Sequence, residues 1–454
     1  FLNILTCIGF VDQFRTFARG LLLSPPLLCS GYSTNVKNLS MENASANPSL
    51  ASVLHQSVQA GRHIALTSSK QREQAIGSMA TALRGAFHDI LEANTLDLEA
   101  SRESGISDLL LDWLKLTPER LQRYIDLLHR LGELSSMYGS TDLGSPAGDR
   151  HSYSQVRPLG TVAFIYEALP ELGAIAAGMS LKTGNSIILR GGTEAQHTNQ
   201  AISIALRIGL ERADFPIDAI QLVDSTPSLL YELLTHTQQV NLAICYGRPS
   251  LIHQVTQQAT VSILPAAIGN CYLYWGANGN LELVRHAICD SHVGEPEAVN
   301  AIEKVLIHTD RSSTSLTTLW KSLKEKGFQL RGDRELVASY GEYLQLAPET
   351  EWHQPYLRKV VAFKSVQSVD EAISTIDRYS SGHADGIITD SYLETQQFVA
   401  GINSACVYIN ASPRFYRHQR GSDRIWLGMS NYHGSQRGAI GLASLIATQQ
   451  VTMG

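Results

Sequence analysis

Thiols, imidazoles and arginine forks are the groups in this chain that could do chemistry, and their spacing excludes most of it. The six cysteines, Cys7, Cys29, Cys245, Cys271, Cys289 and Cys406, are scattered, with no Cys-x-x-Cys pair and no metal-ligand spacing. They read as buried, reduced thiols of a cytoplasmic protein. The fifteen histidines are dispersed as well, and no His-Glu-x-x-His occurs, so no metal is expected. Toward the C-terminal end, Asn410 and Arg414 bracket a short polar stretch. An arginine fork there suits a small carboxylate or phosphate, while the same residues suit a structural turn equally well.

A net charge of −6 and a pI near 6.2 argue against a nucleic-acid surface. No apolar run is long enough to span a bilayer, so neither nucleic acid nor membrane is an expected partner. With 454 residues the chain has room for two domains. Residues 1–40 read as an extension, disordered or not native. Arg15 and Arg19 before Leu21-Leu22-Leu23 leave a targeting peptide open, and Met41 begins an ordinary protein start.

From Ser69 to Asn94 the pattern predicts one helix, with Ile76, Met79, Leu83, Phe87 and Ile90 on a single stripe. Thr117-Pro118-Glu119 opens another, because threonine can cap and proline fits a first turn. Its apolar face is Leu121, Tyr124, Leu128 and Leu131. From Val156 onward strand and helix alternate. Thr161–Tyr166, 186–189, 219–223, 240–244 and 261–264 read as strands, with helices at 172–182, 196–212 and after Thr226-Pro227. Repeated βα units imply a parallel sheet covered on both faces. After the turn Gly276-Ala277-Asn278-Gly279 a second series begins, with strands at 304–307, 360–363, 386–388 and 406–409 and helices at 313–326 and 369–379. The expected fold class is α/β with two such domains.

The stretch Arg157-Pro158-Leu159-Gly160, then Ile165-Tyr166-Glu167-Ala168, then residues 181–194 resembles gamma-glutamyl phosphate reductase, a family of the aldehyde dehydrogenase superfamily. His383-Ala384-Asp385-Gly386-Ile387, residues 407–415 and Arg437-Gly438-Ala439-Ile440-Gly441-Leu442 extend the likeness in the family's order. The resemblance implies a Rossmann-type cofactor domain (41–275) and a catalytic-type domain (276–428). It also implies a dimerisation arm, made of a hairpin near 138–153 and a C-terminal segment (429–454). A homodimer or higher homo-oligomer is implied too. The family reaction, a step of proline biosynthesis, reduces L-glutamyl 5-phosphate to the semialdehyde. A cysteine thiolate attacks the acyl phosphate, and NADPH reduces the thioester. It needs a nucleophile, an oxyanion donor and a placed nicotinamide.

Three positions depart from that requirement. In Gly294-Glu295-Pro296-Glu297-Ala298-Val299-Asn300, Val299 stands where the family has its cysteine. In Glu167-Ala168-Leu169-Pro170-Glu171, Glu171 stands where the family has the asparagine that donates to the oxyanion. A carboxylate there is expected to oppose the developing charge by repulsion. In Arg424-Ile425-Trp426-Leu427-Gly428, Trp426 falls at the glutamate that holds the nicotinamide ribose.

The strand-to-helix turn Arg190-Gly191-Gly192-Thr193-Glu194 is kept, and the resemblance implies that it meets the adenosine end of NADP(H). A capping or surface role for Arg190 is the alternative. Beyond it, Gly247 is kept but Arg248 replaces a glycine, which narrows the approach of a ligand to the backbone. Weak or lost cofactor binding is the expectation. Asn410 and Arg414 are the expected substrate-binding pair. Two function classes stay open. One is a catalytically impaired binding or regulatory homologue, a ligand sensor or partner of an active proline-pathway enzyme. The other is an NADP-dependent oxidoreductase with an altered active site.

Overall fold

A computed structural model describes residues 49–134, 151–294, 296–419, 422–431 and 436–453. The extension at 1–40 lies outside them, as does the expected arm hairpin up to residue 150.

Five helices come first: α1 (Leu50–Ala65), α2 (Ser69–Gly85), α3 (Phe87–Glu103), α4 (Asp108–Leu114) and α5 (Pro118–Glu133). The single helix expected over 69–94 is two, broken at Ala86, which caps α3 without a side-chain bond. α2 begins in a capping box formed by Ser68 and Gln71. Thr117 accepts the Arg120 N–H at the start of α5, as its sequence suggests.

Then come β1 (His151–Pro158), β2 (Thr161–Tyr166), α6 (Pro170–Lys182), β3 (Ser186–Arg190), α7 (Gln196–Arg212), β4 (Ile220–Leu222), α8 (Pro227–Thr235), β5 (Leu242–Tyr246), α9 (Pro249–Gln258) and β6 (Ile263–Pro265). Strands β2 to β6 form a parallel sheet in the order β4-β3-β2-β5-β6. Successive strands step outward from β2 on one side, then the chain returns to start the other side at β5. The crevice beyond the carboxyl ends of β2 and β5 is therefore the topological switch point. Every residue of α6 is buried, because the helix lies between that sheet and α5. A Cβ at Gly178 would run into Leu128 and Leu131, so this glycine lets α5 and α6 approach closely.

The second half holds β7 (Cys271–Trp275), α10 (Leu281–Ser291), β8 (Ile302–His308), α11 (Ser313–Glu325), β9 (Gln329–Gly332), α12 (Arg334–Tyr340), β10 (Gln345–Leu346), β11 (Val360–Val366), α13 (Val369–Tyr379), β12 (Ala384–Ile388), α14 (Tyr392–Gly401) and β13 (Cys406–Ile409). Its strands make a parallel sheet in the order β10-β9-β11-β8-β7-β12-β13. The expected boundary at Gly276 shifts upstream, because β7 pairs with β8 and β12 and so belongs to the second sheet.

At the C-terminal end, β14 (Gly428–Ser430) and β15 (Gly438–Ile440) form a short antiparallel pair. This segment is not arm. Ala266 bridges Ser430, and Ile425, Leu427, Ile440, Leu442 and Leu445 join the core of the first sheet. Beyond that pair, β16 (Ile446–Met453) pairs antiparallel with β1, so the ribbon that fits the expected C-terminal arm begins at Ile446 rather than at residue 429. No described helix is long and apolar enough to cross a membrane.

Candidate active site

The loop between α10 and β8 carries Val299, which is 1% exposed. Two donors hold its carbonyl: the Gly269 N–H at 2.9 Å and His383 Nε2 at 3.0 Å. Burial pulls the His383 imidazole down to about 4, so the ring is neutral near pH 7. With Nε2–H given to Val299, Nδ1 is the acceptor, and the Ser381 hydroxyl lies 2.9 Å from it. Asn300 Nδ2 ties the next residue to the Pro413 carbonyl at 2.8 Å. The loop is thus rigidly placed around a side chain with no nucleophilic atom.

No described cysteine substitutes for it. Cys271 Sγ is 3.3 Å from His383 Nε2, but burial pushes that thiol well up, so it keeps its proton. Burial also raises Cys245 and Cys289.

Glu171 sits in the first turn of α6, 1% exposed. Arg120, on the buried face of α5, donates from Nε at 2.9 Å and from Nη2 to the same oxygen, Oε1. Its remaining nitrogen Nη1 donates to the Lys115 carbonyl at 2.8 Å. Oε2 of Glu171 has no partner. The repulsion expected from this carboxylate is therefore largely cancelled by a cation in contact with it. What persists is the absence of an amide donor.

Trp426 donates its backbone N–H to the Arg417 carbonyl at 2.8 Å, and its ring covers Gly441, where a Cβ would collide with it. The structure gives this tryptophan a packing role against the C-terminal segment.

Arg417, which the sequence did not single out, ties four elements together. It donates to the Tyr124 hydroxyl of α5 at 2.9 Å, the Tyr246 hydroxyl at the end of β5 at 3.0 Å, Glu297 Oε1 and the Leu427 carbonyl. Tyr246 also donates to Glu297 at 2.8 Å. Burial pushes the Tyr246 phenol up to about 12, so it stays a donor. Glu297 Oε2 is buried and without a partner.

Above this network opens a cavity of about 640 Å³. Arg123, Arg130, Arg414, Arg417 and His418 line it against Asp126 and Glu297, so its lining is net cationic. Arg414 is held by Asp290 at 3.0 Å and lies over the Tyr416 ring, and its Nε is unpartnered. Asn410 is not at this cavity. It takes a left-handed conformation (φ +51°) and clasps Thr389 through both side-chain atoms, the turn reading of that residue. A smaller cavity of about 200 Å³, under the Val299 loop, shares Glu297 with the first.

At the switch point the residues expected to meet a cofactor are engaged by the chain itself. Arg190 donates to the Ser225 carbonyl at 2.5 Å, while its Nε is unpartnered. Gly191 packs on Asn199, Gly192 lies under the Glu194 carboxylate, and Thr193 opens a short 3₁₀ turn. Glu194 Oε1 accepts the Ala168 N–H at 2.6 Å. Glu167 accepts the Arg248 N–H at 2.9 Å and its guanidinium at 3.1 and 2.6 Å, over Gly247.

Two doubly wound parallel sheets facing a buried loop, with a two-stranded arm, define an aldehyde dehydrogenase-like protein. A solved lactaldehyde dehydrogenase shares that fold, with a TM-score of 0.66 and 16% identity over 88% of this chain and 90% of that one. No protein-family model matches the chain. Yet it is 46% identical over 399 residues to gamma-glutamyl phosphate reductase 2 of Synechocystis sp., covering 87% of this chain and 95% of that relative. It is 36% identical to the gamma-glutamyl phosphate reductase of Gloeobacter violaceus, over 84% and 91% of the two chains. The crystal structure of gamma-glutamyl phosphate reductase from Thermotoga maritima matches with a TM-score of 0.82 and 30% identity, covering 89% of this chain and 98% of that one. The chain belongs to the gamma-glutamyl phosphate reductase family.

Proposed function

We propose that this chain is a binding or regulatory member of its family that does not run the family's thiol chemistry. One observation carries the reading: the loop that should present a nucleophile presents Val299, and no described cysteine lines either cavity beside it. The cationic cavity suits a small anionic metabolite, and the unpartnered Glu297 Oε2 suits a donor group on the same molecule. Binding of NADP(H) is weak, in the high micromolar range, since the switch-point donors are engaged. The chain acts in the cytoplasm as a homo-oligomer, or assembled with an active proline-pathway enzyme, through the β1–β16 ribbon, whose outer strand edges pair with no other described strand.

A second reading, an NADP-dependent oxidoreductase with an altered site, draws on the Arg120–Glu171 contact, which removes the electrostatic objection. NADPH formation from L-glutamate 5-semialdehyde, phosphate and NADP, beside a family enzyme as control, decides between them. Turnover at background is expected. A rate comparable to the control would establish the second reading, and light scattering that shows only monomer would remove the oligomer.

A further inference from the structure

Glu297 borders the larger cavity and also the smaller one, whose chemistry is different. The smaller space, about 200 Å³, lies between α4, the Val299 loop and the segment 357–359 that leads into β11. Trp113 of α4, Ile268 and Leu357 give it apolar walls. Two of its lining residues carry buried acceptors without a partner, Glu297 Oε2 and His292 Nε2. Glu297 is 6% exposed. His292 gives its Nδ1 proton to the Ile288 carbonyl at 2.9 Å. Burial pulls that imidazole down to about 4, so near pH 7 its Nε2 is a bare acceptor. Glu303 lines the same space, but its carboxylate is taken by the main-chain N–H groups of Asn270, Tyr356 and Leu357. The exposed lining residues are two cations, Arg358 and Lys359, and one acid, Asp112.

Buried acceptors are seldom left bare, because they have given up water and gained nothing for it. Two on one cavity call for a guest that brings N–H donors. We infer that this cavity binds a small zwitterionic amino acid, its ammonium group inward on Glu297 and His292 and its carboxylate outward to Arg358 and Lys359. An ammonium group has three donors and the charge that a carboxylate wants, and a neutral imidazole accepts from it without repulsion. A plain anion would press its charge against Glu297, and a plain amine would leave the outer cations unused. The apolar walls between the two ends suit a short carbon skeleton. The space is also smaller than the roughly 300–1,000 Å³ of pockets that hold larger ligands.

Two alternatives compete. Ordered water could satisfy both acceptors. An amino acid could also enter the larger cavity, where arginines would take its carboxylate. Side chains separate these sites, since Ala298 lines only the smaller cavity and Arg414 only the larger.

The test is calorimetry with glycine, L-alanine, L-proline and β-alanine as probes, and propionate and ethylamine as half-ligands. Saturable binding of at least one amino acid is expected, with each half-ligand about tenfold weaker or more. Ala298→Leu, which fills the space, and Glu297→Gln should each weaken that binding about tenfold or more, while Arg414→Met leaves it unchanged. If Glu297→Gln or Ala298→Leu does not fold, His292→Phe is read. It keeps a ring against Phe328 and removes only the acceptor, with a loss of about threefold or more expected. No binding of any amino acid would mean that water alone fills the cavity, and would overturn the inference. Ethylamine binding as tightly as the amino acids would overturn it too. So would a loss caused by Arg414→Met and not by Ala298→Leu, which would place the ligand in the larger cavity. Turnover in the family assay would sink the function proposed above and leave these binding results standing.

Discussion

Placing a thiol at residue 299 is the sharpest test of the proposal that this site does not run thiol chemistry. Val299→Cys leaves the loop's anchors untouched, because the Gly269 N–H and the His383 ring both reach the backbone carbonyl of residue 299. Two deficits should remain. The first is ionisation. A free cysteine is only a few per cent thiolate at neutral pH, and the position is 1% exposed, so burial should raise the new thiol as it raises Cys271 and Cys289. Each pH unit of rise costs roughly tenfold in thiolate. Glu171 adds little to this, since Arg120 neutralises it. The second deficit is the oxyanion donor, worth roughly 10²–10³ in rate. Together they place Val299→Cys roughly 10³-fold or more below a family enzyme in NADPH formation. Val299→Cys/Glu171→Asn, which offers an amide in the first turn of α6, should recover roughly the 10²–10³ portion. Alkylation rate against pH reads the thiol's ionisation separately from turnover. A single Val299→Cys variant within tenfold of the family enzyme would refute the reasoning, because an unrecognised donor would then be serving the oxyanion.

The charge pairs make further predictions. Arg120→Met should destabilise the protein by about 3–5 kcal/mol in urea unfolding, because it strands a buried carboxylate. Arg120→Met/Glu171→Leu should return to within about 1 kcal/mol of wild type. A cost below about 1 kcal/mol for the single change would mean that water reaches Glu171. Burial raises Asp385 to about 6, so its contribution is present at low pH and lost as pH rises through that value. His383, pulled down to about 4 by burial, runs the other way and loses stability as pH falls from 6.5. The two offset in wild type. Asp385→Asn should therefore lose roughly 2 kcal/mol more than wild type between pH 6 and 4 in denaturant titrations, and parallel curves would contradict it.

Much of the scaffold was legible because it is periodic. Thr161–Tyr166 and Cys406–Ile409 are strands with the bounds their residues suggest, and Thr117-Pro118 does open α5. What failed was local in a different way. The apolar stripe from Ile76 to Ile90 runs on across Ala86, so nothing in its spacing marks the break between α2 and α3. The glycine turn at 276–279 reads as the start of the second domain, whereas the second sheet already runs through the strand Cys271–Trp275 before it. The place of Val299 in the loop between α10 and β8 follows from the motif around it, not from periodicity. The partners of the charged residues were not legible at all. Arg120 and Glu171 are 51 positions apart, and Arg417 and Glu297 are 120 apart. A sequence shows that a charge exists, while only the packing of α5 on α6 shows which cation meets it. The one available hint was position: Arg120 lies next to the stripe of Leu121, Tyr124 and Leu128, on a face bound to be buried.

These pairings bear on what kind of protein this is. A buried charge left alone costs several kcal/mol, so each buried carboxylate around these loops needs a cation or donors beside it. Here Glu171 meets Arg120, Glu297 meets Arg417 and Tyr246, and Glu167 meets Arg248. Such pairs seldom add net stability over apolar packing, so stability alone does not account for them. They do fix geometry: Arg417 joins α5, β5, the loop before Val299 and the C-terminal segment at one point. They also leave specific atoms unspent, Glu297 Oε2 and Arg414 Nε, and the residues that carry both line the larger cavity. A rigid frame with one acceptor and one donor unsatisfied beside a cationic space is the arrangement expected of a binding site. An unpaired acceptor and donor beside a cationic space, with Val299 in the adjoining loop, are what support the proposed binding reading.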